Sequence, residues 1–103
     1  MYVSTKPGIP IPTKAHPSDV GFDVAIWSDV IIDPGDVVRL PTGLHCTPPA
    51  GTYLRLVERS KWALRGLNVA GGVIDPEYTG DIMVITSNLS KRPLEIKAGE
   101  KIA

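Results

Sequence analysis

Apolar residues in this chain come in short runs, each cut off by proline, glycine or charged residues. Residues 22–26 alternate apolar with polar, which predicts a strand with one buried face. The short run at 30–32 stops at Asp33-Pro34-Gly35-Asp36, a turn in which proline fixes φ and glycine supplies the permissive position. Residues 37–40 and 43–46 read as strands on either side of Pro41, and Pro48-Pro49-Ala50-Gly51 is another turn. Tyr53, Leu54, Leu56 and Val57 belong to the strand that follows. Only residues 60–66 are suited to a helical turn. Beyond them, apolar runs at 67–74 and 81–87 flank Asp75-Pro76-Glu77-Tyr78-Thr79-Gly80, the pattern of a hairpin. Residues 94–96 form a last run before Lys97-Ala98-Gly99-Glu100. Ten glycines and ten prolines leave no room for a long helix. Short strands at roughly ten-residue spacing predict an all-β sandwich, jelly roll or barrel. The proline-interrupted strands belong at its edges.

At 103 residues the chain is one domain, and 43 % hydrophobic content is ordinary for a packed core. Eleven basic and eleven acidic residues cancel, so no overall field draws the protein to nucleic acid or an anionic membrane. Any polyanion it binds is small and held by a local cluster. Cys46 is the single cysteine; it fits a small buried hydrophobe in a reducing compartment, with no disulfide or zinc framework. The opening MYVSTKPGIPIP has no signal-peptide core, and no stretch is apolar for long enough to span a bilayer. A soluble intracellular protein of cytoplasm or nucleus is expected.

Phosphate-loop, dinucleotide, HExxH and CxxC motifs are all absent, and His16 and His45 lack metal-ligand spacing. No serine stands in a nucleophile elbow. What remains is three polar segments set between apolar runs: Ser18-Asp19-Val20-Gly21-Phe22-Asp23, Glu58-Arg59-Ser60-Lys61-Trp62-Ala63-Leu64-Arg65-Gly66, and Gly71-Gly72-Val73-Ile74-Asp75-Pro76-Glu77-Tyr78-Thr79-Gly80-Asp81. Singly, each is explained by turn chemistry or a solvated charge cluster. In this order and spacing they resemble the dUTPase family, whose members hydrolyse dUTP to dUMP and pyrophosphate.

The resemblance implies a jelly-roll-like β-barrel with a short helical turn near residues 60–66, and it implies roles. In the third segment Gly72, Val73, Ile74 and, on the returning strand, Met83 would present backbone groups to uracil. Backbone donors and acceptors can read a base edge where glycines permit close approach. Tyr78 would lie flat on the deoxyribose and leave no room for a 2′-hydroxyl. Asp75 matches the general base that deprotonates the attacking water. In the second segment Arg59, Ser60 and Lys61 would hold phosphate, Lys61 standing where the family usually has glycine or serine. Asp23 would hold Mg²⁺ through the ion's waters, with Phe22 in the place of a tyrosine. The related dCTP deaminases carry a catalytic glutamate in the strand after the hairpin, where this chain has Ile85.

Residues 94–103 resemble the opening of the family's fourth motif. The chain is therefore expected to be a single domain without the last strand and the glycine-rich arm that closes over the nucleotide. A homotrimer with sites shared between subunits is the implied assembly. A rival reading keeps the fold as a non-catalytic module that binds nucleotide or a protein partner.

Overall fold

The computed structural model describes residues 2–103, apart from the side chain of Tyr2. Its elements are β1 (Tyr2–Thr5), β2 (Val30–Ile32), β3 (Val37–Pro41), β4 (Leu44–Thr47), β5 (Leu54–Arg55), α1 (Ser60–Leu64), β6 (Leu67–Ala70), β7 (Val73–Ile74), β8 (Met83–Asn88) and β9 (Leu94–Ile96). Strand pairs β1–β4, β2–β9 and β5–β7 and the three-stranded sheet β3–β8–β6 are all antiparallel. This is an all-β, jelly-roll arrangement with one short helix. No helix among the described residues is long and apolar enough to cross a membrane.

Two apolar clusters hold the strands together. The larger gathers Ile26, Ile32, Leu40, Trp62, Leu67, Val84, Leu94, Ile96 and Ile102. Leu44, Cys46, Ile74 and Ile82 form the smaller one. β8 contributes to the larger through strict alternation, with Val84, Thr86 and Asn88 inward. Two of those three are polar, and both are satisfied. Thr86 Oγ donates to the Val38 carbonyl at 3.1 Å, while Asn88 Nδ2 donates to the carbonyls of Ile32 at 2.8 Å and Arg92 at 2.7 Å. Asn88 Oδ1 in turn accepts from the Ser90 N–H and hydroxyl. Asn88 thereby ties β8 to β2 and to the turn before β9 without a buried orphan.

Several elements depart from the sequence pattern. Residues 22–26 run beside residues 99–103 and form an isolated bridge at Ala25–Lys101 in place of a full strand. Backbone hydrogen bonds join them on both sides of it: Val24 N–H to the Ala103 carbonyl, Ile102 N–H to Val24, Ile26 N–H to Glu100 and Gly99 N–H to Ile26. The apolar run 67–74 is two strands rather than one, because Gly71 takes a φ of +59° and turns β7 away from β6. β6 stays in the hairpin with β8, from Leu67↔Asn88 to Ala70↔Ile85, whereas β7 pairs with β5. β5 keeps only Leu54–Arg55 of the longer run, and β1, which ends just before the Pro7-Gly8 turn, has no counterpart in the sequence pattern above.

Candidate active site

The hairpin of the third segment is pinned at both roots. Ile74 and Ile82 are buried in the smaller core. Ile82 N–H donates to the Leu44 carbonyl at 2.8 Å, and its own carbonyl accepts the Thr42 hydroxyl at 2.7 Å. Asp75 follows Ile74 directly, so an exposed carboxylate is mounted on a packed root. Pro76 biases Asp75 toward extended backbone, and the turn closes when the Tyr78 N–H donates to the Asp75 carbonyl at 3.1 Å. The Tyr78 hydroxyl donates to the Asp81 carbonyl at 2.6 Å, which fixes the ring across the tip. A Cβ on Gly80 would lie 2.8 Å from that hydroxyl, so glycine keeps the space the ring occupies. The outer side of the tip is tethered by an exposed ion pair, Lys6 Nζ to Asp81 Oδ2 at 2.8 Å.

Gly72 has a stricter requirement. A Cβ there would stand 2.4 Å from the Leu56 carbonyl oxygen, a backbone atom that cannot swing away. The same approach lets the Leu56 N–H donate to the Gly72 carbonyl at 2.7 Å. Val73 is exposed beside it, and Met83 is half-buried opposite Pro41 on β3.

The second segment begins α1. Arg59 is its N-cap, in extended conformation and without a side-chain cap, and the first turn holds no acidic residue. Propensity alone would not sustain so short a helix. Trp62 does: it is the one buried helix residue, set in the larger core, with the Arg65 guanidinium 4.3 Å from its ring centroid. Lys61 Nζ lies 5.7 Å from the same ring, so its side chain folds toward Trp62. Ser60 and Lys61 are both exposed.

Three segments far apart in sequence converge on Asp23. Arg59 Nε lies 3.7 Å from Asp23 Oδ1, and Lys101 Nζ lies 3.9 Å from Oδ2. The Arg59 N–H is also bound to the Ile102 carbonyl at 3.0 Å. Oδ2 of Asp23 is buried and accepts no hydrogen bond, so the two cations balance its charge while leaving its lone pairs free. No group of three His, Cys, Asp or Glu side chains among the described residues could cage a metal directly. Asp23 offers one carboxylate, whose Oδ2 is closed off from solvent beside two cations, so a hydrated ion would reach it only if Arg59 or Lys101 moved aside.

Sequence reading picked out Asp23, Arg59 and the hairpin but gave Lys101 and Glu58 no role. Glu58 Oε2 accepts the Val69 N–H at 2.8 Å. It also shares with Gly72 and Val73 the wall of a cavity of about 370 Å³. An apolar groove of about 360 Å³ lies beside the smaller core, and a third cavity of about 270 Å³ adjoins Asp23 and Lys101. Asp75, Tyr78 and Ser60 line none of these three.

The dUTPase family model matches residues 8–103. The deoxyuridine 5'-triphosphate nucleotidohydrolase of Nocardia farcinica is 41 % identical over 101 residues, covering 94 % of this chain and 61 % of that protein. Its counterpart in Saccharomyces cerevisiae is 34 % identical over 94 residues, covering 90 % and 64 %. The chain thus spans less than two thirds of the length of these relatives. Among solved structures, the native EIAV dUTPase superimposes with a TM-score of 0.86 at 28 % identity, covering 98 % of this chain and 82 % of that one. The dUTPase of Staphylococcus bacteriophage 80alpha gives 0.91 at 20 % identity, covering 99 % and 84 %, and so shares the fold. With matched segments, matched fold and these relatives, the chain belongs to the dUTPase family.

Proposed function

We propose that this chain carries the greater part of a dUTP diphosphatase, which hydrolyses dUTP to dUMP and pyrophosphate. The observation that carries the reading is the hairpin tip. An exposed carboxylate sits on a packed root, and an aromatic ring is locked across the turn by its hydroxyl. In this role the Tyr78 ring packs on the deoxyribose and excludes a 2′-hydroxyl. Backbone groups of Gly72, Val73, Ile74 and Met83 read uracil, which needs the close backbone approach that Gly72 allows. Asp75 takes a proton from a water whose oxygen attacks the α-phosphorus. The bond from that phosphorus to the bridging oxygen breaks, and pyrophosphate leaves.

Phosphate recognition falls to Arg59, Ser60 and Lys61. Ser60 bonds the α–β bridging region, and the two cations offset phosphate charge. By the family resemblance Asp23 would hold Mg²⁺ through water, and the ion would offset triphosphate charge. The family resemblance implies a homotrimer with sites shared between subunits, and that is the proposed assembly.

The test is Asp75→Asn, which keeps shape and removes the base. In a protein carrying the family's full length, hydrolysis should fall by ~10²–10⁴-fold while dUMP binding persists. Unchanged pyrophosphate release would place the base elsewhere. If that protein binds dUMP yet never releases pyrophosphate with Mg²⁺ present, the chain is a binding module.

A further inference from the structure

Between residues 54–58 and 69–74 a backbone ladder is finished by a side chain. Leu54 and Arg55 pair with Ile74 and Val73, and Leu56 N–H donates to Gly72 at 2.7 Å. There the two backbones part, because Gly71 at φ +59° bends the second one away. The parting opens the cavity of about 370 Å³ bounded by Tyr53, Arg55, Val69 and Gly72. Across its far end reaches Glu58, whose carboxylate accepts the Val69 N–H at 2.8 Å, where a strand carbonyl would otherwise serve. Val69 lies opposite Thr86 on β8, so this bond fastens Glu58 to the hairpin's own edge strand.

The residue after Glu58 is Arg59, the uncapped start of α1. Four contacts fix where that start stands: Trp62 anchors the helix in the core, the Arg59 N–H holds the Ile102 carbonyl, the Arg59 guanidinium pairs with Asp23, and Glu58 holds β6. Without the carboxylate, a half-buried N–H loses its partner, and the chain before Ser60 is free to relax toward the cavity.

We propose that Glu58 is a positioning residue: through Val69 it sets the placement of the Arg59–Ser60 backbone on the edge of the β6–β8 sheet, and with it the grip on phosphate. This role rests on the nucleotide reading above. Its effect on phosphate recognition is the larger one: the roots of the base-reading hairpin are held by Ile74 and Ile82, although Gly72 and Val73 share a cavity wall with Glu58.

The experiment titrates wild type, Glu58→Gln and Glu58→Ala with deoxyuridine and with dUMP, at matched oligomeric state. Glu58→Ala should lose about tenfold in dUMP affinity, the scale of one weakened phosphate hydrogen bond, and less than about twofold for deoxyuridine. Glu58→Gln, whose amide oxygen can accept the same N–H, should stay within about threefold for both. Hydrogen exchange at the Val69 amide should quicken in Glu58→Ala only. Should Glu58→Ala not fold, Glu58→Asp, one methylene too short for the contact, is read in the same way. Equal losses for the two ligands, or none for either, overturn the positioning role while leaving the nucleotide reading intact. A wild-type protein that binds neither ligand overturns that reading, and this role with it.

Discussion

The two halves of the site are built in opposite ways. The hairpin tip is local: Tyr78 bonds Asp75 and Asp81, each three residues away, and its roots differ by eight positions, Ile74 to Ile82. The side proposed to hold phosphate adjoins a junction assembled from residues 23, 59 and 101, with a helix too short to stand without its buried tryptophan. A local tip keeps its shape as long as its roots stay packed. An assembled junction depends on the whole larger core, so damage to that core should reach phosphate recognition before it reaches base recognition.

Trp62→Ala is the strongest way to break the comparison. Truncating a buried tryptophan costs ~3–5 kcal/mol, and it removes both the anchor of α1 and the ring on which Arg65 lies. Chemical denaturation should show that loss. Under conditions where the variant remains folded, dUMP affinity should fall more than deoxyuridine affinity. Parallel loss of both would mean that the two halves are not independent.

A smaller effect probes the hairpin side. Cys46 is buried beneath the hairpin with Ile74 and Ile82, and burial pushes its thiol pKa up. The fold therefore favours the neutral thiol. That contribution is intact below the unfolded thiol's pKa of about 8.5 and is lost as pH rises through the higher folded value. Between pH 8 and pH 10 the melting temperature of the wild type should drop further than that of Cys46→Ala. Equal drops would show the thiol to be solvated.

The same contrast explains how much was legible in the sequence. The tip could be read because every signal lies within seven residues: Ile74 apolar, Asp75-Pro76 turning, Tyr78 aromatic, Gly80 permissive. The strand run at 67–74 was read as continuous because apolar periodicity does not register one positive φ at Gly71. Residues 22–26 look like a strand and do pair along their backbone, but their partner lies at 99–103, a contact no local pattern specifies. Lys101 and Glu58 escaped notice for the same physical reason. Their partners, Asp23 and the Val69 N–H, are set by tertiary structure, and a charged residue beside a turn carries no mark of which distant group it will meet. Lys61 is the converse case: its bulk looks disruptive beside Ser60, yet its ammonium turns toward the Trp62 ring.

The central claim, a hairpin that selects deoxyuridine nucleotides, is tested most directly by calorimetric titration of dUMP against UMP, repeated with Tyr78→Ala. In the proposed role the Tyr78 ring, held across the tip by its hydroxyl, packs on the deoxyribose and excludes a 2′-hydroxyl, so wild type should prefer dUMP by at least about tenfold, the scale of one steric or unpaired-group penalty. Tyr78→Ala should narrow that ratio toward unity. Equal affinity of the wild-type protein for UMP and dUMP would contradict the account.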